Sequence, residues 1–140
     1  MRTLLVFSCL VCLGCGPKSP FEYVGASGRI MYEDGTLIPT SGLRLHFSAQ
    51  DAPPVEGAHP RPGVAEVNEQ GEFACVTSYK YCDGLVPGKH KVAVQQIKGK
   101  DGRQLIPNEC TNIATTPLMV DTAQLPFDIK VPRPKPGARR

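Results

Sequence analysis

The chain contains no tryptophan, and aromatic residues make up only 6% of its 140 positions. A tryptophan-lined ligand platform is thereby excluded. After residue 15 no apolar run approaches the roughly 20 residues that a membrane-spanning helix needs. Also absent are a Gly-x-Ser-x-Gly elbow, a Walker loop, a His-Glu-x-x-His pair and paired-cysteine zinc knuckles. His46, His59 and His90 are the only histidines, and none pairs with another at i,i+2 or i,i+4. They read as solvent-facing side chains on two strands and a loop, so no catalytic, cofactor-binding or metal-ligating residue is assigned. No segment carries ten residues of amphipathic helical period, which points to an all-β fold.

What is plentiful is turn chemistry. Fourteen prolines and fourteen glycines make up a fifth of the chain, against a usual combined share of about 12%. Short strands separated by many turns are the expected result. The length suits one domain with a small core.

The N-terminus carries the clearest signal. Arg2 supplies a positive charge, and Thr3 to Leu13 form an almost wholly apolar stretch, within the roughly 7–15 residues of an export signal. It ends Cys12-Leu13-Gly14-Cys15, which resembles the lipobox of bacterial lipoproteins, although Cys12 stands where an aliphatic residue is usual. The resemblance implies a signal over residues 1–14, cleavage after Gly14 and acylation of the Cys15 thiol. Two or more acyl chains would hold the product stably at a membrane, because each buried methylene contributes about 0.8 kcal/mol. Cys9 offers a second, shorter match, and an ordinary cleaved secretory signal is the plainer alternative. Residues 15–21, with Gly16, Pro17 and Pro20, read as a tether.

Beyond the tether the period is two. A first strand is expected from Tyr23 through Tyr32, ending at the Asp34-Gly35 turn. Leu43, Leu45 and Phe47 alternate with Arg44, His46 and Ser48, the pattern of a half-buried strand. Asp51 to Gly63, with four prolines, reads as a surface loop and a candidate contact loop. Val64–Val67 and Glu72–Thr77 flank a turn at Asn68–Gly71 and predict a hairpin, with Phe73 and Cys75 on one face. Strands over Lys89–Ile97, Leu118–Asp121 and Phe127–Val131 complete about seven.

Several short segments, in order, resemble bacterial lipoproteins with a carboxypeptidase-regulatory-like, transthyretin-like domain. They are Gly28-Arg29-Ile30-Met31-Tyr32-Glu33-Asp34-Gly35, Gly71-Glu72-Phe73, Pro87-Gly88-Lys89-His90-Lys91-Val92, Ile106-Pro107 and Thr115-Thr116-Pro117-Leu118. The resemblance spans most of residues 22–132 and implies a seven-stranded Greek-key sandwich. His90 and Cys110 stand where that family carries aromatics. Transthyretin-like hydrolases of a purine-derived substrate end in Tyr-Arg-Gly-Ser, whereas this chain ends Pro136-Gly137-Ala138-Arg139-Arg140, so their activity is not carried over.

Three cysteines remain once Cys9, Cys12 and Cys15 are set aside. Export permits a disulfide among them. Cys75 reads as a core thiol, and Cys82 with Cys110 is the expected bridge, with Cys75–Cys82 or no bridge as alternatives. Tyr79 and Tyr81 project together from an extended segment; they read as rim-packing residues and as the first choice for a sugar platform.

Residues 133–140 form a basic tail with Arg133, Lys135, Arg139 and Arg140, kept from helix by Pro132, Pro134 and Pro136. Between residue 15 and this tail, eleven basic residues face thirteen acidic ones. The tail is either a solvated extension or a contact to anionic lipid or polymer. Export and the lack of aromatic interleaving argue against nucleic acid. The whole predicts a lipid-anchored envelope module that binds a protein or polysaccharide partner without catalysis, with carbohydrate binding and transthyretin-like hydrolysis as alternatives.

Overall fold

The computed structural model describes residues 18–40, 42–95, 99 and 101–135. Cys15, the segment before it, Ile97 and the last five residues of the basic tail lie outside that range. The described residues form seven strands and no α-helix. The strands are β1 (Gly28–Tyr32), β2 (Arg44–Ala49), β3 (Gly63–Glu66), β4 (Glu72–Phe73), β5 (Lys89–Gln95), β6 (Met119–Asp121) and β7 (Phe127–Val131). A short 3-10 turn, Asn108–Thr111, lies between β5 and β6. One sheet has the order β4-β1-β7 and the other β3-β2-β5-β6.

Alternation in the sequence decides which faces meet. Along β7, buried Phe127, Ile129 and Val131 alternate with exposed Asp128 and Lys130. Leu45 and Phe47 point inward from β2, and Ile30 and Tyr32 from β1, so one buried cluster holds side chains of both sheets. Each such side chain contributes about 1.5–3 kcal/mol when fully buried, and a one-residue slip would turn the whole set outward. The ring of Phe47 lies 6.0 Å from those of Phe73 and Phe127. These three rings join the sheets at one end of the sandwich.

Three expectations are corrected. The first strand is shorter than Tyr23–Tyr32: β1 starts at Gly28, and Val24 instead makes an isolated bridge to Leu85. The Asn68–Gly71 turn forms, with the Asn68 carboxamide oxygen accepting from the Gln70 and Glu72 amides. Of the expected hairpin only the antiparallel bridge between Val64 and Thr77 forms, because β3 pairs with β2 while β4 pairs with β1 in the opposite sheet. His90 is 1% exposed, facing inward with Val92 and Val94. An alternating strand leaves it no other face.

The long loop behaves as its composition demands. Val55 and Ala58 exchange both backbone hydrogen bonds around Glu56 and Gly57, which adopt φ of 51° and 79°. The loop ends where β3 begins at Gly63.

β1 and β7 run parallel, from Gly28 beside Phe127 to Tyr32 beside Val131. The chain therefore comes into the sandwich at one end and leaves it at the other. At the far end the basic tail is docked at its root: the Arg133 guanidinium lies over the Tyr32 ring and pairs with Asp34.

Candidate functional site

After β4 the chain crosses back to the four-stranded sheet, where Thr77 bridges Val64 on the outer edge of β3. This crossing brings Cys75 and Cys82 within 5.2 Å, Cα to Cα, and they form the disulfide. The expected Cys82–Cys110 bridge is thus corrected. Cys82 hangs from the β3 edge, whereas Cys110 is fully buried in the 3-10 turn packed on β5, with β2 between them. Cys110 is the free cysteine. Burial, with Glu109 and Glu33 adding to it, pushes its thiol up to about 11, so it is held protonated and unreactive.

Residues Thr77–Gly84 form a compact loop on this bridge. The Asp83 carboxylate accepts the amides of Ser78, Tyr79 and Lys80 at 2.8, 3.0 and 2.7 Å. The Ser78 hydroxyl donates to the Gly84 carbonyl, and the Cys82 amide to the Thr77 hydroxyl. Cys82 takes φ of 57° to close the ring. Three amide donors on one carboxylate, together with a covalent link, hold the loop tip in one shape before anything meets it.

What the tip presents is aromatic and cationic. Tyr81 is 88% exposed, with exposed Lys80 beside it in sequence. Tyr79 is half-buried, and the Arg61 guanidinium from the proline-rich loop lies 4.9 Å from its ring centre. One face of Tyr79 is therefore taken, and the two tyrosines are not equivalent open surfaces for a sugar. Their spacing on an extended segment marked Tyr79 and Tyr81 in the sequence. Nothing in the sequence announced that Arg61 would reach them or that Asp83 would gather three amides.

The base of this loop is fused to the incoming chain. Val24 and Leu85 exchange backbone hydrogen bonds at 2.8 and 3.0 Å. Gly84, at φ of 98°, packs so closely on Val24 that a Cβ there would run into the Val24 carbonyl. Just upstream, the Ser19 hydroxyl donates to Tyr23 and accepts the Phe21 amide, so the end of the expected tether is drawn into a local turn.

The histidines do not converge. His46 opposes Ala93 and His90 opposes Ala49 in the β2–β5 register. Their side chains project from opposite faces of one sheet, His90 into the core beside the Gly88 carbonyl and His46 toward the outer face, where the expected solvent contact is corrected too: its Nε2 is buried and makes no hydrogen bond. His59 is exposed in the proline-rich loop. Among the described residues, no three histidine, cysteine or carboxylate side chains cluster as a metal site would require. A surface depression between β1, β4 and β7 has Arg29 and Asp128 on its wall, but they pair with each other at 3.1 Å.

No protein-family model, curated protein or solved structure matches this chain. Among the described residues, no helix is long and apolar enough to cross a membrane.

Proposed function

We propose that this protein is an exported lipoprotein, held at an envelope membrane by acyl chains on Cys15, whose domain is a non-catalytic interaction or structural module. The observation that carries the reading is the apolar Thr3–Leu13 stretch running directly into Gly14-Cys15, with Arg2 ahead of it. The Cys75–Cys82 disulfide supports it, because such bridges persist in oxidising compartments outside the cytoplasm. The domain is read as a carboxypeptidase-regulatory-like, transthyretin-like Greek-key sandwich. In support, β4 returns to lie beside β1 after the β2–β3 hairpin. Furthermore, His90 and Cys110, which occupy aromatic positions of that family, are both core residues.

The test is the intact mass of the membrane fraction from a lipoprotein-competent bacterium expressing the full chain, compared with Cys15→Ser. The expected product starts at Cys15, carries acyl mass and disappears from the membrane in the variant. An unacylated soluble product from both would remove the anchor and leave a plain secreted domain.

A further inference from the structure

We propose that the Thr77–Gly84 loop is the surface on which the anchored domain rests against its own membrane, with Tyr81 and Lys80 entering the headgroup layer. This rests on the reading of Cys15 as the anchor. The argument begins with where the chain comes in. Val24 is bonded on both sides to Leu85, and Gly84 is packed on Val24, so the loop base and the root of the tether are one unit. Only eight residues lie between Cys15 and Val24, a reach of about 30 Å if fully extended. The Ser19–Tyr23 contact shortens it further. An acylated Cys15 would therefore keep this end of the sandwich at the bilayer surface, and the parallel β1–β7 pair puts Arg133 and Asp34 at the end facing away.

The chemistry at the near end suits that location. A tyrosine with an apolar body and a polar tip is favoured where a bilayer meets water, and lysine can lay its stem on the same boundary. Among the described residues Tyr81 is the most exposed of the large hydrophobic side chains, so its ring is free to enter a boundary layer while its hydroxyl stays with the headgroups. The disulfide and the Asp83 hydrogen bonds hold the loop in shape, so little ordering is lost when the tip inserts. Arg61 and Lys80 add positive charge. The acids nearest in the chain oppose it: Asp83, whose carboxylate accepts three loop amides, and exposed Glu56, Glu66 and Glu72. The contact is therefore interfacial first, with a modest dependence on anionic lipid.

The chain has no tryptophan, so one can be placed as a sole reporter. The full chain in its acylated form is reconstituted into phosphatidylethanolamine–phosphatidylglycerol vesicles containing brominated lipid, as Tyr81→Trp and, at the far end, as Glu33→Trp. The expected result is blue-shifted emission from Tyr81→Trp and quenching by bromolipid several-fold stronger than for Glu33→Trp, whose emission stays that of water. If both sediment with the vesicles yet both are quenched by aqueous iodide and not by bromolipid, the anchor stands and the loop contact is overturned; the loop then faces a protein or polysaccharide. A chain that stays in the supernatant overturns the anchor, and the contact with it.

Discussion

Arg133 places its guanidinium 4.3 Å from the centre of the Tyr32 ring, and the same group reaches the Asp34 carboxylate at 2.8 Å. Asp34 also accepts the amide and hydroxyl of Thr36. Its pKa is lowered to about 2, chiefly by the Thr36 hydroxyl, then by the Thr36 amide and by Arg133. Removing the guanidinium with Arg133→Ala should raise the Asp34 pKa only part of the way, because the Thr36 bonds remain. An NMR titration of the Asp34 carboxyl measures this. The pair is half-exposed and screened by water, so the accompanying loss of stability should be small.

The Cys75–Cys82 bridge closes a short loop. The loop-entropy relation gives it about 2–3 kcal/mol. Peptide mapping without reduction should recover a Cys75–Cys82 cross-linked species, and Cys82→Ser should lower the denaturation midpoint accordingly. Recovery of Cys82 linked to Cys110 would mean that the strand crossing at Cys75 is wrongly placed.

Cys110 is buried and its thiol is raised to about 11. It should resist alkylation in the folded protein and react once the chain is unfolded without reductant, while the bridged cysteines stay silent. Mass spectrometry of iodoacetamide-treated protein, native against denatured, reads this directly.

These cysteines also mark the limit of what the sequence could say. The inward sets Leu45 with Phe47, and Phe127 with Ile129 and Val131, were legible because a pleated strand fixes side-chain parity locally. The turn at Asp34-Gly35 was legible for an equally local reason. His90 had the same signal, since it shares parity with Val92 and Val94, and reading it as solvent-facing set that parity aside. Strand partners are a different matter. Glu72–Thr77 carries no local mark of where it changes partner: Glu72 and Phe73 pair with β1, whereas Thr77 folds back on β3, and only the packing of two sheets decides. The disulfide follows from that crossing. So does the meeting of Arg61 with Tyr79, whose loops are adjacent only because Thr77 lies beside Val64.

Gly84→Ala should be costly. A methyl group there meets the Val24 carbonyl, and φ of 98° is unfavourable for any L side chain. The expected loss exceeds about 2 kcal/mol. Hydrogen exchange should show the Val24 amide opening before the rest of the sandwich, because its partner is the Leu85 carbonyl at the displaced base of the loop.

His90 gives the fold a pH dependence of known sign. Burial lowers its pKa below 6.5, against opposing pulls from the Gly88 carbonyl and Asp121. The unfolded chain therefore binds a proton more readily than the folded one as the medium acidifies. The contribution is fully present above the unfolded value of about 6.5 and is lost as pH falls from there through the folded pKa. Urea midpoints at about pH 8 and about pH 5 should differ more for the wild type than for His90→Phe, which keeps an aromatic ring in the core and removes the titration.

The parallel pairing of β1 with β7 also fixes how the domain would carry force. A pull between an N-terminal anchor and a partner gripping the C-terminal tail runs in opposite directions along two adjacent strands. The ladder is then loaded in shear, its hydrogen bonds sharing the load and having to break together. An antiparallel pair would unzip one bond at a time. A module tethered in this way would resist tension along its own axis far better than across it.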